Sequence, residues 1–314
     1  RGSGSEDVFV CSTSRDIKKA FEVIQSSPVF ATTSSSSSSS SSASRDKQGV
    51  LVQEFAAGVE YAIDIVSKNG EHKIAAVWKY DKRAVNGAPG PVVYHKTELV
   101  DPDEPVTLLS DDDDDDDAMP LPSEGRMACE YAMDVLDALD VKWGLTHTEV
   151  MLDRRGKCCR LIEVNCRQHN IDLVPLTSIC IGYNAFDMLL AAYFGDLDDD
   201  DDDCDDVMKL DWESLPVFPT KRVRCGAVVH FVCHVAGRVM SVRHLDEIEC
   251  MTSVQAMEIY EGFLEGNYVS PTINIKTDSG WAHLINDDQE QFQNDYNRIV
   301  DLMPDMFQVQ EERD

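Results

Sequence analysis

Apolar positions along the chain recur with two periods, and together they lay out a mixed series of helices and strands. Ile17, Ala20, Phe21 and Ile24 fall three and four apart, the spacing of one helix face. Residues 50–55 predict a strand. Val59, Tyr61, Ile63 and Ile65 then alternate with polar or small residues, and Asn69-Gly70 is the dipeptide of a type I′ hairpin turn. Residues 124–140 predict a helix capped by Ser123, with Ala128, Tyr131, Val135 and Leu139 on its buried side. Strands at 147–152 and 160–165 and a helix at 185–194 follow. Beyond them the pattern predicts hairpins over 225–243, turning at Ala236-Gly237, and over 268–285, turning at Asp278-Ser279-Gly280. A last helix at 287–302 stops at Pro304. The class is α+β, divided into a larger unit at 1–214 and a smaller β-rich domain at 215–314.

Three low-complexity runs interrupt this pattern: serines at 34–42 and aspartates at 111–117 and 198–203. None can bury apolar surface, so they read as solvated loop expansions covering about 31–48, 110–119 and 196–206. Lengthening a flexible loop costs little, because closure entropy grows only logarithmically. An acidic cation-buffering tract is the lesser alternative.

The formal net charge of −30 falls to −17 without the thirteen aspartates of the two runs. An acidic chain whose basic residues do not cluster with aromatics argues against nucleic acid and anionic membranes as partners. No apolar run reaches the roughly 18 residues a spanning helix needs. Ten scattered cysteines without a CxxC pair point to reduced thiols, hence an intracellular, by default cytoplasmic, location. The chain begins at Arg1 rather than Met, inside what reads as a loop, so further sequence is expected upstream, with targeting left open. A homo-oligomer is allowed by this reading and not required.

The segment from His147 to Arg167 carries the most chemistry. If the strands at 147–152 and 160–165 pair about Gly156, partner numbers sum to 312 and Glu149 faces Glu163 on one side of the sheet. Facing carboxylates repel unless a cation sits between them, and hard oxygen donors suit Mg²⁺ or Mn²⁺. Asn165 lies two residues on, on the same face, as a neutral oxygen donor. Arg167, two further, can offer its fork of donors to phosphates. The competing reading is a solvated face on which Arg167 merely pairs one of the glutamates.

These residues also carry a resemblance. The stretch THTEVMLDRRGKCCRLIEVNCRQHN resembles the metal-binding end of the ATP-grasp superfamily, and VLVQEFAAGVEYAIDIVSKNG resembles its nucleotide-binding hinge. The resemblance covers roughly residues 1–196 and is greatest to the branch of L-amino-acid ligases and carnosine synthase. It implies the C-terminal portion of an ATP-grasp module followed by a β-rich domain. It further implies ATP and Mg²⁺ (or Mn²⁺) as cofactors, and a small-molecule carboxylate and amine as substrates.

Position by position, it assigns Glu54 to the adenine amino group, the backbone at Phe55 and Ala56 to the ring edge, and Glu60 to the ribose. Glu149, Glu163 and Asn165 become metal ligands, and Arg167 the catalytic group that steadies an acyl phosphate. Gly2, Ser3, Gly4 and Ser5 correspond to the glycine-rich lid over the phosphates. The activity implied is ADP-forming carboxylate–amine ligation on amino acids. A non-catalytic nucleotide-binding module and a biotin-carboxylase-like enzyme are the alternatives. Gln168, His169, Asn170 and Ile171 stand where many relatives carry small residues beside the substrate, so amino-acid specificity does not carry over.

Lys79, Lys82 and Arg83 form a cationic strand end which, by the same resemblance, faces the phosphates or the substrate carboxylate, or else is simply solvated. His230, Cys233 and His234 have a zinc-like composition, but strand alternation sends Cys233 to the opposite face.

Overall fold

A computed structural model describes residues 8–26, 50–104, 123–153, 158–195, 210–220 and 224–310. Gly2, Ser3, Gly4 and Ser5 and the three low-complexity inserts lie outside the described residues.

Eight strands build one antiparallel sheet. β1 (Val59–Lys68) and β2 (Glu71–Arg83) are the predicted hairpin, with Asn69 and Gly70 at φ of 54° and 85° in its turn. With β3 (Val93–Leu99), β4 (Gly144–Asp153), β5 (Cys158–Asn165), β6 (Cys225–Phe231), β8 (Val254–Ile259) and β10 (Gly280–Asn286), the order is β5-β4-β1-β2-β3-β6-β10-β8. β7 (Gly237–Val242), β9 (Tyr268–Val269) and β11 (Phe307–Gln310) form a second sheet ordered β11-β7-β9. β3 pairs with β6, so the large sheet runs across residue 215 and draws strands from both expected units. Among the described residues, no single helix is long and apolar enough to cross a membrane.

β1 is buried on both faces. Tyr61, Ile63 and Ile65 pack against Ala128, Cys129, Ala132 and Leu136 of α2 (Glu124–Ala138). Burying each such isoleucine contributes roughly 1.5–3 kcal/mol. On the other face Ala62, Ala76 and Trp78 meet Leu176 and Cys180 of α3 (Val174–Cys180). Ser123 caps α2 as expected, accepting from the Arg126 backbone N–H at 3.2 Å. The buried stripe lies beside the predicted one: Leu139 follows the end of the helix and is 58 % exposed. α1 (Ser14–Ser26) buries Ala20 and Ile24, and the predicted helix at 185–194 forms as α4 (Ala185–Phe194), with a capping box on Asn184.

Three expectations are corrected. Residues 50–57 form no strand, because both edges of β1 are already taken by β2 and β4, and Leu51, Val52 and Phe55 stay exposed. The hairpins at 225–243 and 268–285 do not form either. β6 is buried at every position and lies between β3 and β10, the signature of a central strand, while β7 pairs with β11 and β9. The two glycines read as turns serve close approach instead. A Cβ on Gly237 would meet the Gln310 carbonyl oxygen at 2.7 Å, and one on Gly280 would collide with that of Glu258. After the short α5 (Leu245–Glu249), the last helix forms as α6 (Gln289–Leu302), capped by Asp288, and buries Phe292, Tyr296 and Ile299 against the strands of the later segment.

Candidate active site

The β4–β5 ladder has the expected register where it matters. Glu149 lies opposite Glu163 and His147 opposite Asn165. A bulge then shifts the remaining pairs by one, so Val150 meets Leu161. The Asn165 side-chain N–H₂ donates to Glu163 Oε1 at 2.6 Å and lies 3.1 Å from His147 Nε2. Its amide nitrogen serves both neighbours, which makes Oδ1 the atom suited to a cation.

Across β1, Glu149 faces the small Ala62, and the space above is filled from β2. Tyr80 and Lys82 are two apart on that strand. The Tyr80 hydroxyl is 3.4 Å from Glu149 Oε1 and 2.6 Å from His169 Nε2. Lys82 Nζ donates to Glu60 Oε1 at 2.6 Å and lies 4.4 Å from the ring centres of both Tyr80 and Tyr94. Burial opposes the charge on Lys82, but Tyr94, Glu60 and Glu149 outweigh it and hold the ammonium charged above the usual lysine range. The carboxyl of Glu149 is pushed up to about 7 by burial, with Lys82 opposing and Glu60 and Glu163 adding to the rise.

His147 and His169 stack with ring centres 4.7 Å apart. Burial drives His147 down to about 4 and, together with His147 itself, takes His169 well below the histidine range, so both imidazoles are neutral at pH 7.

A cavity of about 790 Å³ opens between the start of β1, the end of β2 and α6, with Phe55, Glu60, Lys82, Met151 and Tyr296 in its wall. α6 enters through a second cluster. Arg83 donates to Asp81 Oδ2 at 2.7 Å and to the Tyr296 hydroxyl at 3.0 Å, and Tyr296 donates to Asp81 Oδ2 at 2.6 Å. Lys96 Nζ lies 2.8 Å from Glu98 and 4.3 Å from the Tyr296 ring centre.

The fold recurs among solved structures. An L-amino acid ligase from Bacillus licheniformis superposes with a TM-score of 0.57 at 16 % identity, covering 82 % of this chain and 55 % of its own. Phosphoribosylglycinamide synthetase from Anaerococcus prevotii superposes with a TM-score of 0.51 at 11 % identity, over the same shares. The fold is that of the ATP-grasp enzymes. No family model and no curated protein matches the sequence. At these identities the likeness is one of fold, and the chain spans a little over half the length of each ATP-grasp structure.

Within the ATP-grasp frame, the predicted residues fall into two groups. Glu60 and Glu149 flank Lys82, and Glu163 and Asn165 adjoin them on β5, opposite Glu149 and His147. Three carboxylates against one ammonium leave an excess of negative charge, and with Asn165 Oδ1 the donors are oxygens, which fits Mg²⁺ or Mn²⁺. Phe55 and Ala56 sit in the cavity wall.

The others stand apart. The Glu54 side chain is 84 % exposed, and its Oε1 lies 3.6 Å from Arg160 Nη1. Arg167 is exposed and donates to the carbonyls of its own neighbours Gln168 and His169, at 2.8 and 3.3 Å. Among the described residues the zinc-like trio is dispersed: His230 bonds Asp278, the Cys233 thiol donates to the Val235 carbonyl, and His234 bonds Asn86.

Tyr80, Tyr94, His147 and Tyr296 were not singled out by sequence, and His169 entered only as one of four residues that depart from the family pattern beside the substrate. Two of them carried a signal, since Tyr80-x-Lys82 and His147-x-Glu149 are strand spacings that share a face. That departure was the one signal for His169, which reaches the site from the loop after β5.

Proposed function

We propose that the protein is an ATP-dependent, ADP-forming carboxylate–amine ligase acting on amino acids. The observation that carries this reading is the carboxylate pair Glu149 and Glu163, flanked by Asn165 and by the Lys82–Glu60 ion pair, at the end of a sheet with the ATP-grasp fold. The L-amino acid ligase among the similar structures supports the class.

In this reading the cavity takes the nucleotide. The backbone at Phe55 and Ala56, with Glu54, meets the adenine, and Glu60, steadied by Lys82, accepts from the ribose diol. Glu149, Glu163 and Asn165 hold Mg²⁺ or Mn²⁺, which when bound neutralises charge on the phosphate oxygens. The lid role over the phosphates falls to Gly2, Ser3, Gly4 and Ser5, which lie outside the described residues.

A substrate carboxylate oxygen bonds to the γ-phosphorus as the bond to ADP breaks. The amine then attacks the acyl phosphate, giving an amide, a proton and inorganic phosphate. Arg167 gives up its bonds to Gln168 and His169 and offers its guanidinium to the transferring phosphoryl group. The protein's part is positioning and electrostatics.

The test uses the full-length protein, screened over pairs of amino acids for ADP and phosphate release. Amine-dependent release is expected from the wild type, with a fall of about 10²–10³ in Glu163→Gln while nucleotide still binds. Undiminished release by Glu163→Gln would sink the assignment. Nucleotide binding without amine-dependent release would favour a non-catalytic module.

A further inference from the structure

We infer that His147, Glu149 and His169 form a second cation site, one that takes a borderline divalent ion such as Zn²⁺ rather than Mg²⁺. One ligand atom from each residue lies within 4.8 Å of the other two. His147 and Glu149 are two apart on β4 and so share a face. His147 Nε2 is 3.9 Å from Glu149 Oε1. His169 arrives from the turn after β5 and stacks on His147, its ring edge-on to Trp78 and Tyr80 at 6.4 and 5.9 Å. The ligands therefore come from one rigid strand and one ring wedged between aromatic walls.

Two features point to a ligand. The side chain of His147 is 2 % exposed and turns Nε2 towards Glu149, and Nε2 of His169 faces the same space through the Tyr80 hydroxyl. Two stacked imidazoles aimed at one carboxylate are a donor arrangement that a borderline cation fits. Between His169 and Glu149 sits the Tyr80 hydroxyl, 2.6 and 3.4 Å from them, marking a space that oxygen and nitrogen donors already surround.

The donor set decides the ion. Two imidazole nitrogens and one carboxylate suit Zn²⁺, Co²⁺ and related ions, whereas Mg²⁺ prefers an all-oxygen shell with retained water. The carboxylates of Glu149 and Glu163 with Asn165 Oδ1 are the hard site, and the histidine side of Glu149 is the softer one. Glu149 belongs to both, so an ion held by the histidines withdraws it from the pair with Glu163. Only this competition rests on the ligase reading; the binding site does not.

The experiment titrates Co²⁺ into the full-length protein and follows the visible ligand-field band. A band that saturates at one ion per chain is expected, displaced by Zn²⁺ but not by an equal concentration of Mg²⁺. His169→Gln should weaken binding by at least about tenfold, while Glu163→Gln keeps the band. As a check that needs no variant, Co²⁺ should broaden the ring proton resonances of His147 and His169 in the wild type. Absence of a band, a band indifferent to His169→Gln, or broadening confined to other histidines would each overturn the site. Co²⁺ binding, with no amine-dependent ADP release from the same protein loaded with Mg²⁺ and free of Co²⁺, would leave this site standing and remove the ligase.

Discussion

Lys82 Nζ lies 2.6 Å from Glu60 Oε1, and the two side chains are only 13 % and 14 % exposed. The pair ties the end of β2 to the start of β1, beneath the cavity and beside Glu149. It converts two residues with ambiguous roles in the sequence into the electrostatic centre of the site.

Lys82→Met should therefore destabilise the fold, by about 3 kcal/mol, because it strands the half-buried charge of Glu60 beside Glu149. Glu60→Gln in the same background should recover part of that loss. Urea unfolding of the two single variants and the double variant gives the coupling, expected to be about 1 kcal/mol or more. Purely additive losses would mean that the contact carries no energy.

Asp64 predicts a pH dependence. Its Oδ2 accepts from Trp78 Nε1 at 2.8 Å, its Oδ1 is buried without a partner among the described residues, and burial raises the carboxyl from 3.8 to about 7 despite the bond from Trp78. The folded state thus holds a proton that the unfolded chain releases near pH 3.8, and this stabilisation is lost as pH rises towards 7. Between pH 5 and 8 the loss should be on the order of 2–3 kcal/mol. Asp64→Asn keeps the bond to Trp78 and should be the more stable protein at pH 8. Parallel stability profiles for the two proteins would contradict this.

Arg167 should separate stability from activity. It is exposed and, among the described residues, bonds neighbouring carbonyls, so Arg167→Ala should change unfolding free energy by no more than about 0.5 kcal/mol. In the full-length protein the same change should lower amine-dependent ADP release by about 10²-fold or more. Intact turnover would remove Arg167 from the phosphoryl-transfer step.

Gly280 opens β10 at φ 152°, with the carbonyl of Glu258 on β8 where a Cβ would stand. Gly280→Ala should cost more than about 2 kcal/mol, seen as a lowered melting temperature. A neutral outcome would show that β8 and β10 can part at that end without loss.

The elements legible in the sequence are those whose signals are local. Asn69-Gly70, the Ser123 cap and the run at 185–194 each specify their own conformation within a few residues, and each formed. The facing of Glu149 and Glu163 was expected from pairing about Gly156, but the pairs nearer the turn, Asp153–Cys158 to Val150–Leu161, run one residue off that register, and the bulge between Glu149 and Val150 is what sets the two glutamates opposite each other. The predicted hairpins of the later segment failed for the opposite reason. β6 finds its partners β3 and β10 across long stretches of chain, and no local pattern chooses between those partners and a nearby turn.

By itself the sequence determined the strand periods, the caps and turns, and the carboxylate–amide–arginine series at 149–167. These follow from backbone geometry within one or two elements. Only the tertiary structure decided that Lys82 neutralises Glu60, that His169 folds back onto His147, and that Tyr296 of α6 joins Asp81 and Arg83. Each of those contacts joins side chains from elements far apart in the chain, and it exists only once the sheet has brought them together and burial has made an unpaired charge costly.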